Sequence, residues 1–248
     1  VSGKKKLKLA LDNIALLLIH ETINFSQKHY LGAMPLYFRK YLVPEGEVGI
    51  WEIDEEESFF QKRLLLTREE RKSIKKIKGE GRRLQWLSSR YLLHYLSGRK
   101  VRGSLYKDEF GKPHLTDSPY QISLSHSHEM AAVMAGPIHL GIDIQVFVPK
   151  IGRLAYKYMR EVESESLEEA TRLQHLHVYW SAKEAIYKAY GRRELDFRKN
   201  ILVEPFKYNE EGCTFSGKMI KPELNLELHY ELCFEKFGEY YLVYCWEV

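Results

Sequence analysis

Two acidic residues stand in segments of opposite periodicity. Asp143 lies in Leu140-Gly-Ile-Asp-Ile-Gln-Val146. The alternation there predicts a strand with Ile142 and Ile144 on one face and Asp143 and Gln145 on the other. Glu184 lies in Val178-Tyr-Trp-Ser-Ala-Lys-Glu-Ala-Ile-Tyr-Lys-Ala-Tyr-Gly191, which predicts a helix ending on a glycine. Trp180, Glu184 and Lys188 are spaced i, i+4, i+8 and share one face of it. A carboxylate flanked by Lys183 and Lys188 suits a site that holds a divalent cation together with phosphates. Carboxylate oxygens take hard Mg²⁺, and lysines take phosphate oxygens. The plain alternative is a solvated helix face with an ordinary i, i+4 ion pair, and a strand acid that is structural.

Histidines and further basic residues surround these acids in sequence. Leu124-Ser-His-Ser-His128 places His126 and His128 two apart in a strand, on one side. Zinc needs a third ligand, and none lies nearby; His175-x-His177 has the same weakness. A hydrogen-bonded or phosphate-contacting histidine is the favoured reading. The set Arg71, Lys72, Lys75, Arg82, Arg83 and Arg90 reads either as a solvated helix surface or as a grip for the terminal phosphates of a nucleotide. The formal net charge is +4, from 38 Lys+Arg against 34 Asp+Glu. A nucleic-acid groove would carry a larger excess. The 3 cysteines, Cys213, Cys233 and Cys245, form no C-x-x-C pair. They read as reduced core thiols of a cytoplasmic protein, not as a disulfide framework or zinc knuckle.

The elements that must position these residues follow from patterning. The chain has 248 residues, 44% hydrophobic and 13% aromatic, which excludes disorder over most of its length. Val48–Ile53 alternates as a strand, Asp54–Glu57 reads as an acidic turn, and Thr67-Arg-Glu-Glu70 reads as a capping box opening a basic helix. Gly79 and Gly81 break that helix, and a second one runs from Arg82 to Leu96 and stops at Gly98. Phe110-Gly-Lys-Pro-His-Leu115 turns into an extended segment. Gln121–Ser127 and Met130–Ala135 read as strands, with a turn at Gly136-Pro137. A helical stretch runs from Ile151 to Glu163, a mostly polar helix follows, and Leu226–Cys233 and Tyr240–Trp246 read as antiparallel strands. Helices followed by strands occur twice, so the expected fold is α+β, with two similar lobes meeting near Gly136-Pro137. The expected divisions are 1–33, an N-terminal extension outside the domain that begins near Met34; 34–136, the first lobe; and 137–248, the second. In the extension the apolar run Ile14–Ile19 is far shorter than the ~20 residues a bilayer requires.

In this order the motifs resemble the 4′-phosphopantetheinyl transferase superfamily, of the surfactin-synthetase-activating type. Gly141-Ile-Asp-Ile-Gln145 followed by Trp180-Ser-Ala-Lys-Glu-Ala-Ile-Tyr-Lys188 carries the resemblance. Arg83–Leu93 with Ser88-Ser89-Arg90, Gly111-Lys-Pro-His114 and Leu124-Ser-His-Ser127 agree with it. The resemblance covers about Val48 to Glu204. It implies a Mg²⁺-dependent enzyme that moves the phosphopantetheine arm of coenzyme A onto a serine of an acyl or peptidyl carrier protein, releasing adenosine 3′,5′-bisphosphate. The fold it implies is a pseudo-twofold pair of lobes with coenzyme A between them. Residue by residue, it implies that Asp143 and Glu184 bind Mg²⁺, with Glu184 also acting as base toward the carrier serine, directly or through water. Lys188, helped by Lys183, would contact the pyrophosphate. Lys107, Gly111, Lys112 and Pro113 would grip the adenine and its phosphates. Ser125 and His126 would meet the 3′-phosphate, with Arg90 and one of Arg71, Lys72 or Lys75 assisting. A monomer is implied by the same analogy, while the short apolar runs and the small net charge give the expectation of no membrane and no nucleic-acid partner.

Two departures from the family pattern stand out. Many members carry an acid where this chain has Gln145, and the Phe-Phe-Thr-x-x-Glu type motif is reduced to Tyr158-Met-Arg-Glu-Val-Glu163. The second puts any role of Glu163 as base in question. The alternative within the family is a non-catalytic relative that binds coenzyme A or a carrier protein. A nucleic-acid-binding module is the alternative from another class; it would show steep salt dependence.

Overall fold

A computed structural model describes residues 36–42 and 45–248. The expectations for residues 1–33 and Met34 lie outside the described residues. Two antiparallel sheets divide the chain. The first has the order β1-β2-β6-β5, with β1 Leu36–Tyr41, β2 Glu47–Glu52, β5 Gln121–Ser127 and β6 Met130–Gly136. The second has the order β7-β11-β10-β9-β8, from β7 Leu140–Val146, β8 Ile201–Val203, β9 Cys213–Lys221, β10 Leu226–Phe237 and β11 Tyr240–Glu247. A small hairpin of β3 Leu105–Lys107 and β4 Pro113–Leu115 stands apart. The architecture is mixed α+β.

Three helices belong to the first sheet: α1 Glu57–Leu64, α2 Arg68–Lys75 and α3 Glu80–Ser97. Helix α1 begins at Glu57, the last residue of the acidic turn expected at Asp54–Glu57, and runs on where no helix was expected. Phe60 and Leu64 are its buried positions, which sets its core-facing side. Helix α2 opens on the expected capping box: Thr67 Oγ1 accepts the Glu70 N–H at 3.2 Å and Glu70 Oε2 accepts the Thr67 N–H at 2.9 Å. Helix α3 lays Leu87, Leu92 and Leu96 into a core with Trp51, Ile122 and Val133.

The second half has α4 Ile151–Tyr158, α5 Glu161–Glu165, α6 Arg172–Tyr190 and α7 Phe197–Asn200. The stretch expected as one helix to Glu163 is broken at Met159, whose backbone is extended. The polar segment and the Val178–Tyr190 segment, expected as separate, are one helix, α6. Its polar N-terminal half is core: His175 packs between Tyr179 and Phe206, and His177 stacks on Tyr241.

Strands β5 and β7 are edges of different sheets, and side chains join them. Ser123 Oγ accepts the Ile142 N–H at 3.0 Å, Ser125 Oγ the Ile144 N–H at 3.2 Å, and Ser127 Oγ the Val146 N–H at 3.0 Å. The constant step shows that the strands run parallel. Serine at alternate positions therefore supplies one face of β5 with acceptors for a backbone that would otherwise be a buried, unpaired edge.

Candidate active site

Asp143 sits at the middle of this seam, 2% exposed. Its Oδ1 accepts from Ser125 Oγ at 2.9 Å and from Lys188 Nζ at 2.8 Å. Lys188 also donates to Ser125 Oγ and to the Ile142 carbonyl, each at 2.9 Å. Three donors thus meet three acceptors and the ammonium is saturated. Ser125 is saturated too: it donates to Asp143 and accepts from Ile144 N–H and Lys188. Asp143 Oδ2 is buried without a partner.

Helix α6 delivers Glu184 and Lys188 to this point because β7 carries glycine at 141. A Cβ there would stand 1.9 Å from the Ala185 carbonyl oxygen. Small residues face it from the helix, Ala185 and Ala189, both fully buried. The Gly-Ile-Asp order is thus mechanical: glycine admits the helix, and the acid two residues on meets what the helix carries. Glu184 is half-buried on the seam that Trp180 and Lys188 share. Burial foremost, and then the Asp143 charge, push its carboxyl up to about 7, against the opposing pull of Lys188.

His126 is exposed on β5 beside this cluster. Desolvation and then the Lys188 ammonium hold its pKa down, with Arg82 of α3 adding to the effect and Asp143 opposing it. His128 does not share its face, contrary to the sequence expectation. The strand ends at Ser127, and His128 lies in the turn with a φ of +49°.

The hairpin docks on the C-terminal end of α6. Asp108 Oδ1 accepts the N–H of Phe110 at 3.0 Å and of Lys112 at 2.8 Å, and Oδ2 meets His114 Nε2 at 2.9 Å. The histidine bond holds the Asp108 carboxyl below its ordinary range. Lys112 Nζ donates to the Ala189 carbonyl at 2.8 Å, a cation on a helix C-terminus. Gly191, with a φ of +72°, makes room for it, since a Cβ there would meet Lys112 Cδ at 2.2 Å. Gly111 and Pro113 shape this turn, and Lys107 is exposed on β3.

Other expected residues stand elsewhere. Lys183 leaves the cluster for the opposite side of α6. It is fully buried against Glu163 at 2.8 Å and donates to the carbonyls of Phe197 and Ile201 at 3.1 and 2.9 Å. Glu163 in turn accepts the N–H of Arg160 at 2.7 Å and of Val203 at 2.9 Å. The pair is an internal tie, and neither residue reaches solvent. Arg71, Lys72 and Lys75 are exposed on α2 and make no bond to the cluster. Arg90 lies against the Trp86 ring at 3.5 Å and lines a separate cavity. It is eight residues, about 12 Å, along α3 from Arg82. The His175-x-His177 pair is buried, and His175 is driven down to about 4 by burial.

Sequence reasoning missed Ser123, Ser127 and the mechanical role of Gly141. The small-polar alternation of Ile122-Ser-Leu-Ser-His-Ser127 was their visible signal. Among the described residues no group of three or more His, Cys, Asp or Glu gathers as a metal cage. What the chain offers a dication is two carboxylates, Asp143 with an unpartnered oxygen and Glu184 with a disfavoured charge. Both penalties disappear when a cation sits between them. The residues fit a hard ion such as Mg²⁺, which completes its shell with water and substrate oxygens. Among the described residues no helix is long and apolar enough to cross a membrane.

A search among curated proteins finds no match to this chain. The family model described as the 4′-phosphopantetheinyl transferase superfamily matches residues 139–245. That span contains β7 to β10, most of β11, and α6, and with them Asp143, Glu184 and Lys188. On this match residues 139–245 are similar to the 4′-phosphopantetheinyl transferase superfamily.

Proposed function

We propose that this protein transfers the 4′-phosphopantetheine group of coenzyme A to a serine of an acyl or peptidyl carrier protein. The serine oxygen bonds to the phosphorus that bears pantetheine. The P–O bond to the other phosphate breaks, adenosine 3′,5′-bisphosphate leaves with the electron pair, and the serine proton passes to a base. The observation that carries this reading is the unpartnered, buried Asp143 Oδ2 beside Glu184, whose carboxyl burial and Asp143 push up to about 7.

Asp143 and Glu184 would hold Mg²⁺, which when bound neutralises the pyrophosphate oxygens. Lys188 fixes Asp143 through Oδ1, so that Oδ2 stays free for the ion. Its three protons are committed, so a direct pyrophosphate contact requires it to release one acceptor. Glu184 would also be the base that accepts the proton from the serine hydroxyl, directly or through water. Gln145, on the Asp143 face of β7 and half-buried, offers a neutral amide oxygen to a water of the ion. Arg82 is an exposed cation suited to a nucleotide phosphate, with His126 beside it as an exposed hydrogen-bonding group, and the Lys107–Pro113 hairpin would meet the adenosine end.

The test is a mass spectrum of an apo acyl carrier protein incubated with this protein, coenzyme A and Mg²⁺. A phosphopantetheine mass increment that disappears with chelator, and in Asp143→Asn and Glu184→Gln, is the expected result. A carrier that stays apo, with a chain still stabilised by coenzyme A, would establish the non-catalytic relative instead.

A further inference from the structure

A cavity lies away from the Asp143 cluster. It encloses about 560 Å³ between α3, the β1–β2 turn and the base of the β3–β4 hairpin. That is the size range of pockets for small organic ligands. Leu93, Leu96, Leu105 and Leu115 give it an apolar wall. The hub of Asp143, Ser125 and Lys188 contributes nothing to its lining.

Its charges do not balance. The cations on the wall are Arg90, Arg99 and Arg102, and the acids are Glu45 and Glu47. Arg102 is neutralised by Glu70, which takes both of its Nη groups, while its Nε donates to the Leu64 carbonyl at 2.8 Å. Glu47 is paired with Arg39, and Glu45 accepts from the Tyr120 hydroxyl. Among the described residues Arg90 bonds only to the Trp86 carbonyl, at 3.0 Å from Nη1, and lies on the Trp86 ring; its Nε is buried without a partner there. Arg99 makes no ion pair among the described residues. The Glu70 carboxylate acts on Arg90 only through space, because its oxygens are taken by Arg102, and a half-buried guanidinium with no hydrogen-bonded carboxylate, against a leucine wall, is an incomplete arrangement.

We propose that this cavity is a second binding site, for a monoanionic amphiphile whose carboxylate pairs with Arg90 and whose aliphatic chain lies along the leucine wall. The head group gains a charge-assisted bond from a fork suited to carboxylates. The tail gains from leaving water. The site is independent of the transfer reaction, and nothing in its recognition uses coenzyme A.

The test is calorimetric titration of the full chain with decanoate and, separately, with 1-decanol. Saturable one-to-one binding is expected, with decanoate tighter by about tenfold or more, the scale of one hydrogen bond to a charged group. Arg90→Gln should erase that preference while leaving decanol affinity in place. Leu105→Trp, which narrows the cavity from a half-buried position, should weaken both ligands and keeps the test decisive if the Arg90 variant does not fold. Adenosine 3′,5′-bisphosphate should not compete. Absence of saturable binding, equal affinity for acid and alcohol, or indifference to Leu105→Trp would overturn the proposal. So would displacement by adenosine 3′,5′-bisphosphate, which would put the fatty acid in the transferase cleft. None of these outcomes depends on whether transfer occurs.

Discussion

Gly141 of β7 lies directly beneath the Ala185 carbonyl of α6, so close that a Cβ would stand 1.9 Å from that oxygen and 2.8 Å from the Ala189 nitrogen. The obstacles are backbone atoms of a helix buried on most of its sides, so no rotamer change relieves them. Gly141→Ala must lift α6 off the sheet that carries Asp143. Overpacking of this kind costs about 3 kcal/mol or more, which for a chain of this size lowers Tm by about 6 °C or more. The same displacement separates Glu184 from Asp143, so transfer should fall further than the folded fraction does. A thermal melt with the wild-type midpoint would show that α6 is not held by this contact.

The serine seam gives a second prediction. Ser123 Oγ accepts the Ile142 N–H and touches neither Asp143 nor Lys188. Ser123→Ala leaves that buried donor unsatisfied, at a cost of about 1–3 kcal/mol. Hydrogen exchange should accelerate at the Ile142 amide, while the Ile144 amide, which Ser125 still accepts, keeps its protection. Equal protection at Ile142 in both proteins would mean that another acceptor replaces the hydroxyl.

Much of this was legible in the chain itself. Strand β7 was read from its alternation to the residue, because one face is apolar and the pattern has a period of two. The α2 capping box was read from Thr67 and Glu70 because that signal is local. Helix α1 was missed because Glu57 opens it without any side-chain cap, so its start looks like the acidic run before it. The candidate site was half legible. Asp143, Glu184 and Lys188 could be named from residue type and order. That Lys183 turns away, however, depends on where Glu163 lies, 20 residues earlier in sequence and in contact only through the tertiary fold. The alternating serines of β5 were equally visible as letters. Their meaning required a second strand with unpaired amides beside them, which no local pattern announces.

Glu184 makes stability depend on pH. Burial and Asp143 raise its carboxyl to about 7 in the folded chain, against an ordinary carboxylate range near 4.3 when unfolded. Between those values the folded protein holds a proton that the unfolded chain has lost. Its contribution to stability is therefore complete in acid and is lost as pH rises towards about 7. Mg²⁺ requires the ionised form, so the Tm gained from adding Mg²⁺ should be small at acid pH and larger in mild alkali, with a proton released on binding. Glu184→Gln should flatten both dependences. A Mg²⁺-induced shift of equal size across the range would place the ion elsewhere.

The two lysines on α6 should separate structure from chemistry. Lys183 and Glu163 are both fully buried, and the lysine's three protons go to Glu163 and to the carbonyls of Phe197 and Ile201. Lys183→Met strands an unpaired carboxylate in the core, at a cost of about 3–5 kcal/mol. Adding Glu163→Gln should return a large part of that, because the double variant buries no charge. Transfer per folded molecule should stay near wild type in the double variant. Lys188 is half-exposed and holds Asp143 Oδ1. Lys188→Met should cost less stability, because Asp143 keeps Ser125 as a donor and water can approach the vacated position. Transfer should nonetheless fall by about a hundredfold or more, the scale seen when one preorganised electrostatic contact is removed from a reacting centre. Urea melts and carrier-loading rates of the same variants read the two quantities independently. If Lys183→Met/Glu163→Gln loses transfer while folding normally and Lys188→Met keeps it, the roles given to these two lysines are reversed.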